Sequence, residues 1–196
     1  MHCLLLLGLF AVFTDLMGRA FGLHHLVFEG SEVLLLCGCF VVSHWALPLV
    51  HRREQGADGE ERVGAILEDL VPHGWHVIHD AHLGRGNVDH VLVGPPGLFT
   101  VETKSHAGPV RVRNLHGGLI RQVHAQRQRI EELAGVRVEP LLVYSTAWVD
   151  NPGARRKGVR VVPARMLTRH LQRRPARLSV QEVDDLHRRL VASLGP

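Results

Sequence analysis

The sequence predicts an α/β protein, a sandwich of helices around a mixed sheet, and three observations carry that prediction. Short apolar strands with a period of two cluster between residues 75 and 104. Segments with helical spacing stand on either side of them, at 60–71 and 120–133. Strand and helix patterns then alternate through residue 194, which is the mixing expected of helices packed on a mixed sheet.

At 196 residues the chain suits one domain of ordinary size plus an appendage. It is 45% hydrophobic but only 5% aromatic, so its core has to be built from Leu, Val and Ile. The net charge of +4 is uneven: residues 1–50 hold Arg19 against Asp15, Glu29 and Glu32, and the basic excess lies beyond them. A basic globular part is compatible with a polyanionic partner and equally with a solvated surface. Cys3, Cys37 and Cys39 all lie in the apolar N-terminal part, so no disulfide is available from His51 onward, which favours a reducing compartment. The Cys37-x-Cys39 pair beside His44 lacks the fourth ligand and the spacing of a zinc site.

Residues 1–50 read as an apolar N-terminal segment. The run Cys3 to Phe13 is too short to span a bilayer. The run Val33 to Val50 has 18 uncharged residues followed by His51-Arg52-Arg53, which reads as a membrane helix with a cytoplasmic flank. The first run could pair with it as a hairpin. An ordinary apolar helical extension is the alternative. Residues 51–58 read as a linker, with Asp58 capping a helix from Glu60 to Val71 that buries Val63, Ile66, Leu67 and Leu70.

Trp75 to His79 follows as a strand, Asp80 to Gly86 as a polar loop and Val88 to Val93 as a second strand. Gly94-Pro95-Pro96-Gly97 is a turn signal, and Leu98 to Lys104 alternates as a third strand. Val110 to Arg113 suits a short fourth strand. Ile120 to Leu133 is helical, with Val123, Ile130 and Leu133 on its apolar side. Val138 to Tyr144 is a strand whose Pro140 argues for an edge position or a late start. A strand at Val159 to Val162 and helices at Ala164–Gln172 and Val180–Leu194 complete the order.

On the third strand Glu102 and Lys104 share a face, because side chains at i and i+2 do. A carboxylate beside an ammonium can hold a cation and orient a water. Asp89 interrupts an apolar strand, which is costly unless something compensates its charge. The turn between these strands sets Asp89 at the height of Glu102. Two carboxylates and a backbone carbonyl, such as that of Thr103, make an oxygen-rich site suited to Mg²⁺ or Mn²⁺. His90 should face the other way, into the core. His73, His76, His79 and His82 should not converge, since they span a turn, a strand and a loop.

Gly59-Glu60, the string Asn87 to Pro95, the step Gly97-Leu98-Phe99 and Val101-Glu102-Thr103-Lys104 together resemble the nuclease-related (NERD) domain. That family is a branch of the PD-(D/E)xK, restriction-endonuclease-like superfamily. The resemblance runs from about Gly59 to Tyr144, with a weaker echo through Val162 and Leu167. It implies an αβββαβ core, Asp89 and Glu102 as metal ligands, Lys104 as the catalytic lysine, Glu60 or Glu61 on the first helix as a supporting carboxylate, with Glu60 favoured by the Gly-Glu match, and Gln122 as a contact to metal, water or phosphate. Thr103 and Ser105-His106 depart from the pattern, where an aromatic or Asn would be expected beside the lysine.

From Asn151 to Gln181 there are nine basic residues and no acidic one. Arg155, Arg156, Lys157 and Arg160, with Arg85 in the Gly84-Arg85-Gly86 turn, are the candidates for phosphate contact. A solvated face and a lipid-facing surface are the competing readings. The resulting expectation divides the chain into an apolar anchor (1–50), a linker (51–58), a nuclease domain (59–170) and a basic C-terminal helix (171–196). It expects a Mg²⁺-dependent nuclease acting on DNA or RNA, with no small-molecule cofactor. The chain would be held at the membrane through residues 33–50 with its domain in the cytoplasm, and otherwise be cytoplasmic. A non-catalytic nucleic-acid-binding module and a membrane-surface module are the alternatives.

Overall fold

The computed structural model describes residues 12–13, 35, 37–84 and 86–194, and only the backbone of 45–54. The chain divides into two compact units, residues 1–54 and 55–196. In the first, residues 37–41 are helical and a π-helical turn follows at Val42–Ala46, with the Phe40 and His44 rings stacked 4.3 Å apart.

Two expectations are corrected here. No described helix is long and apolar enough to cross a membrane. Helix α1 (Leu47–Glu68) takes up His51, Arg52, Arg53 and Glu54 within its first turns, so the apolar stretch has a charged continuation rather than an end. Residues 1–11, 14–34 and 36, which hold most of the first apolar run and the start of the second, lie outside the described residues. The expected linker at 51–58 is helical, and Asp58 is an exposed residue inside α1 rather than its cap. Good helix formers such as Glu54, Gln55, Ala57 and Glu60 carry the helix through Gly56 and Gly59. Pro48 follows the π-helical turn Val42–Ala46 directly, so the missing N–H coincides with a local break in the regular helical ladder.

The second unit is built on a six-stranded mixed sheet. Its strands in chain order are β1 (His76–His82), β2 (Asn87–Gly94), β3 (Gly97–Lys104), β5 (Val138–Tyr144), β7 (Arg155–Arg156) and β8 (Val159–Pro163), arranged β1-β2-β3-β5-β8-β7. The pairs β1/β2, β2/β3 and β7/β8 are antiparallel, and β3/β5 and β5/β8 are parallel. A separate parallel pair joins β4 (Pro109–Val110) to β6 (Trp148–Val149). β4 therefore ends earlier than the strand expected to reach Arg113, because a 3-10 turn takes over at Val112–Asn114.

One sheet face packs under α1 and the short helix α3 (Leu167–Gln172): Val63, Leu67, Leu70, Leu167 and Leu171 meet Leu92, Phe99, Val101, Leu141 and Val143. The other face is covered by α2 (Gly117–Ala134) and α4 (Val180–Leu194). Ile130 and Ala134 join Val183, Leu186 and Leu190 there, against Val91, Val93, Leu98 and Val138. Ile120 and Val123 extend α2's contact to Leu142, Tyr144, Val159 and Val161. The helix set apart at the C-terminus thus contributes to the core through its own apolar stripe, entered through a Ser179–Glu182 capping box.

Two smaller expectations fail for local reasons. Strand β5 is central, not an edge. Its pairing with β8 begins only at Leu141–Arg160, so Pro140 sits where the strand is paired on the β3 side alone. Leu133 is 41% exposed, and the buried row of α2 is Ile120, Val123, Gln126, Ile130 and Ala134.

Candidate active site

The site forms where β2 and β3 part. Their ladder closes at His90–Val101, and the next rung is replaced by a side chain: the Asp89 carboxylate accepts the backbone N–H of Thr103 at 2.6 Å. The β1–β2 ladder also omits Asp89, opposite Asp80, which has a left-handed φ of 47° and accepts a hydrogen bond from the Asn87 side-chain amide. Strand alternation shifts at this point, so that Val88 and Ala81 join the core under α2 and α4. Asp89 is therefore fixed against the backbone of β3.

Glu102 is 3% exposed and fully engaged. Lys104 Nζ donates to its Oε1 at 2.5 Å, Gln122 Nε2 to the same oxygen at 2.8 Å, and Gln126 Nε2 to Oε2 at 2.6 Å. Gln122 and Gln126 are one turn apart on α2, which lets both amides reach one carboxylate. Gln126 also donates to the Asn87 carbonyl at 2.9 Å, tying the helix to the start of β2.

A close approach delivers the first helix. A Cβ on Gly59 would stand 1.7 Å from the Ser105 hydroxyl oxygen and 2.9 Å from that of Ser145, so only glycine fits there. That contact brings Glu60 within electrostatic reach of Glu102 and Lys104. Burial, followed by the charge of Glu102, raises the Glu60 pKa, with Lys104 opposing. Asp89 shows the same pressure more strongly. Burial, then Glu102 and Glu60, push it up to about 7, against the Thr103 N–H and Lys104. Crowded carboxylates with one ammonium among them are what a cation would relieve.

Asp89, Glu102, Lys104, Glu60 and Gln122 are thus gathered at one end of the sheet. Sequence reasoning missed Gln126, although its signal was present one helical turn beyond Gln122. Among the described residues no three His, Cys, Asp or Glu side chains form a ready metal cluster. The all-oxygen donors Asp89 and Glu102, with the Thr103 backbone held against Asp89, fit a hard cation such as Mg²⁺.

The histidines do not enter the carboxylate cluster itself, although His90 is within hydrogen-bonding reach of the Glu60 backbone. His90 lies buried on the α1 side, its Nδ1 2.9 Å from Nδ1 of His79, and burial and His79 lower it to about 4. His76 pairs with Asp184 and stacks on His187.

The basic candidates lie elsewhere. Arg155 and Arg160 bond Glu139, which pairs with Phe99 near the start of β3. Glu102 is three residues further along, about 10 Å at strand rise. His124 reaches the Lys157 carbonyl, Arg156 lies half-buried beside it, and Arg85 is outside the described residues.

The core runs helix, three strands, helix and strand, with Asp89 on the second strand and Glu102-x-Lys104 on the third. Residues 55–145 match the family model of the nuclease-related domain, NERD. Among solved structures, a repair endonuclease from Pyrococcus abyssi aligns at 17% identity over 59% of this chain and 46% of that one, with a TM-score of 0.30. Pyrococcus furiosus SfsA in complex with Ca²⁺ aligns at 19% over 61% and 53%, with a TM-score of 0.27. The chain spans about half the length of these two structures. No curated protein matches it.

Proposed function

We propose that this chain is a divalent-metal-dependent nuclease that hydrolyses phosphodiester bonds in DNA or RNA. The observation that carries the reading is the meeting of Asp89 with the Glu102–Lys104 pair where β2 and β3 part, where burial, and then the charge of Glu102, raise Asp89 to about 7. Asp89, Glu102 and the Thr103 carbonyl would hold Mg²⁺ or Mn²⁺. When bound, such an ion supplies hydroxide at neutral pH and offsets charge developing on phosphate. Glu102 holds the Lys104 ammonium in place, and Lys104, partly open to solvent, orients the attacking water and meets the phosphoryl oxygens. Gln122 and Gln126 keep the Glu102 carboxylate from rotating. Glu60, brought in by the Gly59 contact, can accept a proton from water on the solvent side.

The test is cleavage of plasmid, single-stranded DNA and RNA by the full chain in Mg²⁺ and in Mn²⁺. Lys104→Ala and Asp89→Ala should each lose about 10³-fold or more of the rate while keeping the wild-type fold by circular dichroism. Wild-type protein that cuts none of these substrates in either metal overturns the proposal. Nucleic-acid affinity retained by Glu102→Ala in that case would leave a binding module.

A further inference from the structure

A cavity of about 830 Å³ opens at the other end of the sheet, beside the Pro95-Pro96 turn, and none of Asp89, Glu102, Lys104 or Glu60 lines it. Seven arginines line it against a single carboxylate, that of Glu139. With that composition the cavity repels cations and calls for an anion.

Its arginines fall into two sets. Arg155, Arg160 and Arg174 are held by Glu139, with Arg174 bidentate at 2.6 and 2.7 Å and its guanidinium 5.0 Å over the Phe99 ring. They form a preorganised wall. Arg137, Arg173 and Arg177 have no side-chain partner among the described residues, and all three border the cavity.

We propose that this cavity binds a polyphosphorylated small molecule of nucleotide size, recognised through Arg137, Arg173 and Arg177. Several uncompensated guanidinium groups match more than one negative charge, and their planar forks match phosphoryl oxygens. The volume is that of a small-ligand pocket, and a concave recess suits a compact polyanion better than an extended nucleic-acid strand. Pro96 and Pro175 give the rim an apolar edge on which a base or sugar can rest. The proposal stands independently of the nuclease reading.

The experiment is calorimetric titration of the full chain with inorganic pyrophosphate and with ATP, in EDTA so that no metal-assisted binding at the carboxylates contributes. Wild type should bind both. The double variant Arg137→Gln/Arg177→Gln, whose side chains hold no partner among the described residues, should melt as wild type yet bind at least about tenfold more weakly. Lys104→Ala should bind as wild type. No heat at millimolar probe, full affinity in the double variant, or equal loss in Lys104→Ala each overturns the proposal. So does a single-stranded oligonucleotide whose affinity falls in the double variant and which pyrophosphate does not displace, since the arginines would then serve a nucleic-acid strand.

Discussion

The two ends of the central sheet carry opposite electrostatics. Where β2 and β3 part, Asp89, Glu102 and Glu60 share one ammonium, and Asp89 is pushed up to about 7. At the start of β5 the imbalance is reversed: Glu139 alone faces Arg155, Arg160 and Arg174, whose hydrogen bonds hold its pKa far below the usual carboxylate range despite burial. Both carboxylates pay desolvation, so burial does not decide between them; the sign of the neighbouring charge does. One end concentrates negative charge that a cation would relieve, and the other already stabilises an internal anion.

The largest expected effect tests the basic end. Glu139→Gln leaves three guanidinium groups around a neutral amide, and unfolding by urea at pH 7 should show a loss of about 3 kcal/mol. A depressed acid contributes stability that is present above its unfolded pKa and lost as pH falls through the folded one. The cost of the substitution should therefore shrink progressively below about pH 4.5, the unfolded value. A cost that is constant with pH would mean that packing, not charge, makes Glu139 matter.

A smaller effect tests how the acidic end is assembled. Gly59→Ala forces a methyl group into the Ser105 hydroxyl and should destabilise the fold by about 2 kcal/mol, from the overpacking. It should also lower cleavage by moving Glu60. Ser105→Gly in the same chain should restore most of the stability. Melting that is unchanged in the single variant would show that α1 is not pressed against β3 in solution.

The sequence made this acidic end largely legible, and the reasons are local. Turn chemistry in Gly94-Pro95-Pro96-Gly97 and the alternation of Leu98 to Lys104 set the β2–β3 pair, which juxtaposes Asp89 and Glu102. The basic end was not legible, because a run of arginines says nothing of a carboxylate on another strand: Glu139 lies outside the block it organises. Pro140 misled for a similar reason, since its tolerance depends on where β8 begins to pair. On α2, hydrophobic periodicity chose Leu133 over Gln126, although the buried Glu102 beneath needs a donor that no apolar residue supplies. The start of α1 was misplaced because glycine and Asp58 read as a boundary, while the residues around them favour helix.

The smallest effect separates the two ends most cleanly, because its pH dependence has the opposite sign. An acid whose folded pKa is raised contributes stability that is fully present below its unfolded pKa and lost as pH rises through the folded one. For Asp89 that window runs from the ordinary value of 3.8 to about 7. In EDTA at pH 8, Asp89→Asn should therefore be more stable than wild type by about 1 kcal/mol, discounted for the site's partial openness. At pH 4 the two should melt alike, since an amide oxygen can still accept the Thr103 N–H. Excess Mg²⁺ at pH 8 should then reverse the order, raising the melting temperature of wild type and leaving the variant unmoved. If Mg²⁺ stabilises neither protein, the raised Asp89 is a strained core carboxylate and not a ligand in waiting, and the contrast between the two ends loses its functional meaning.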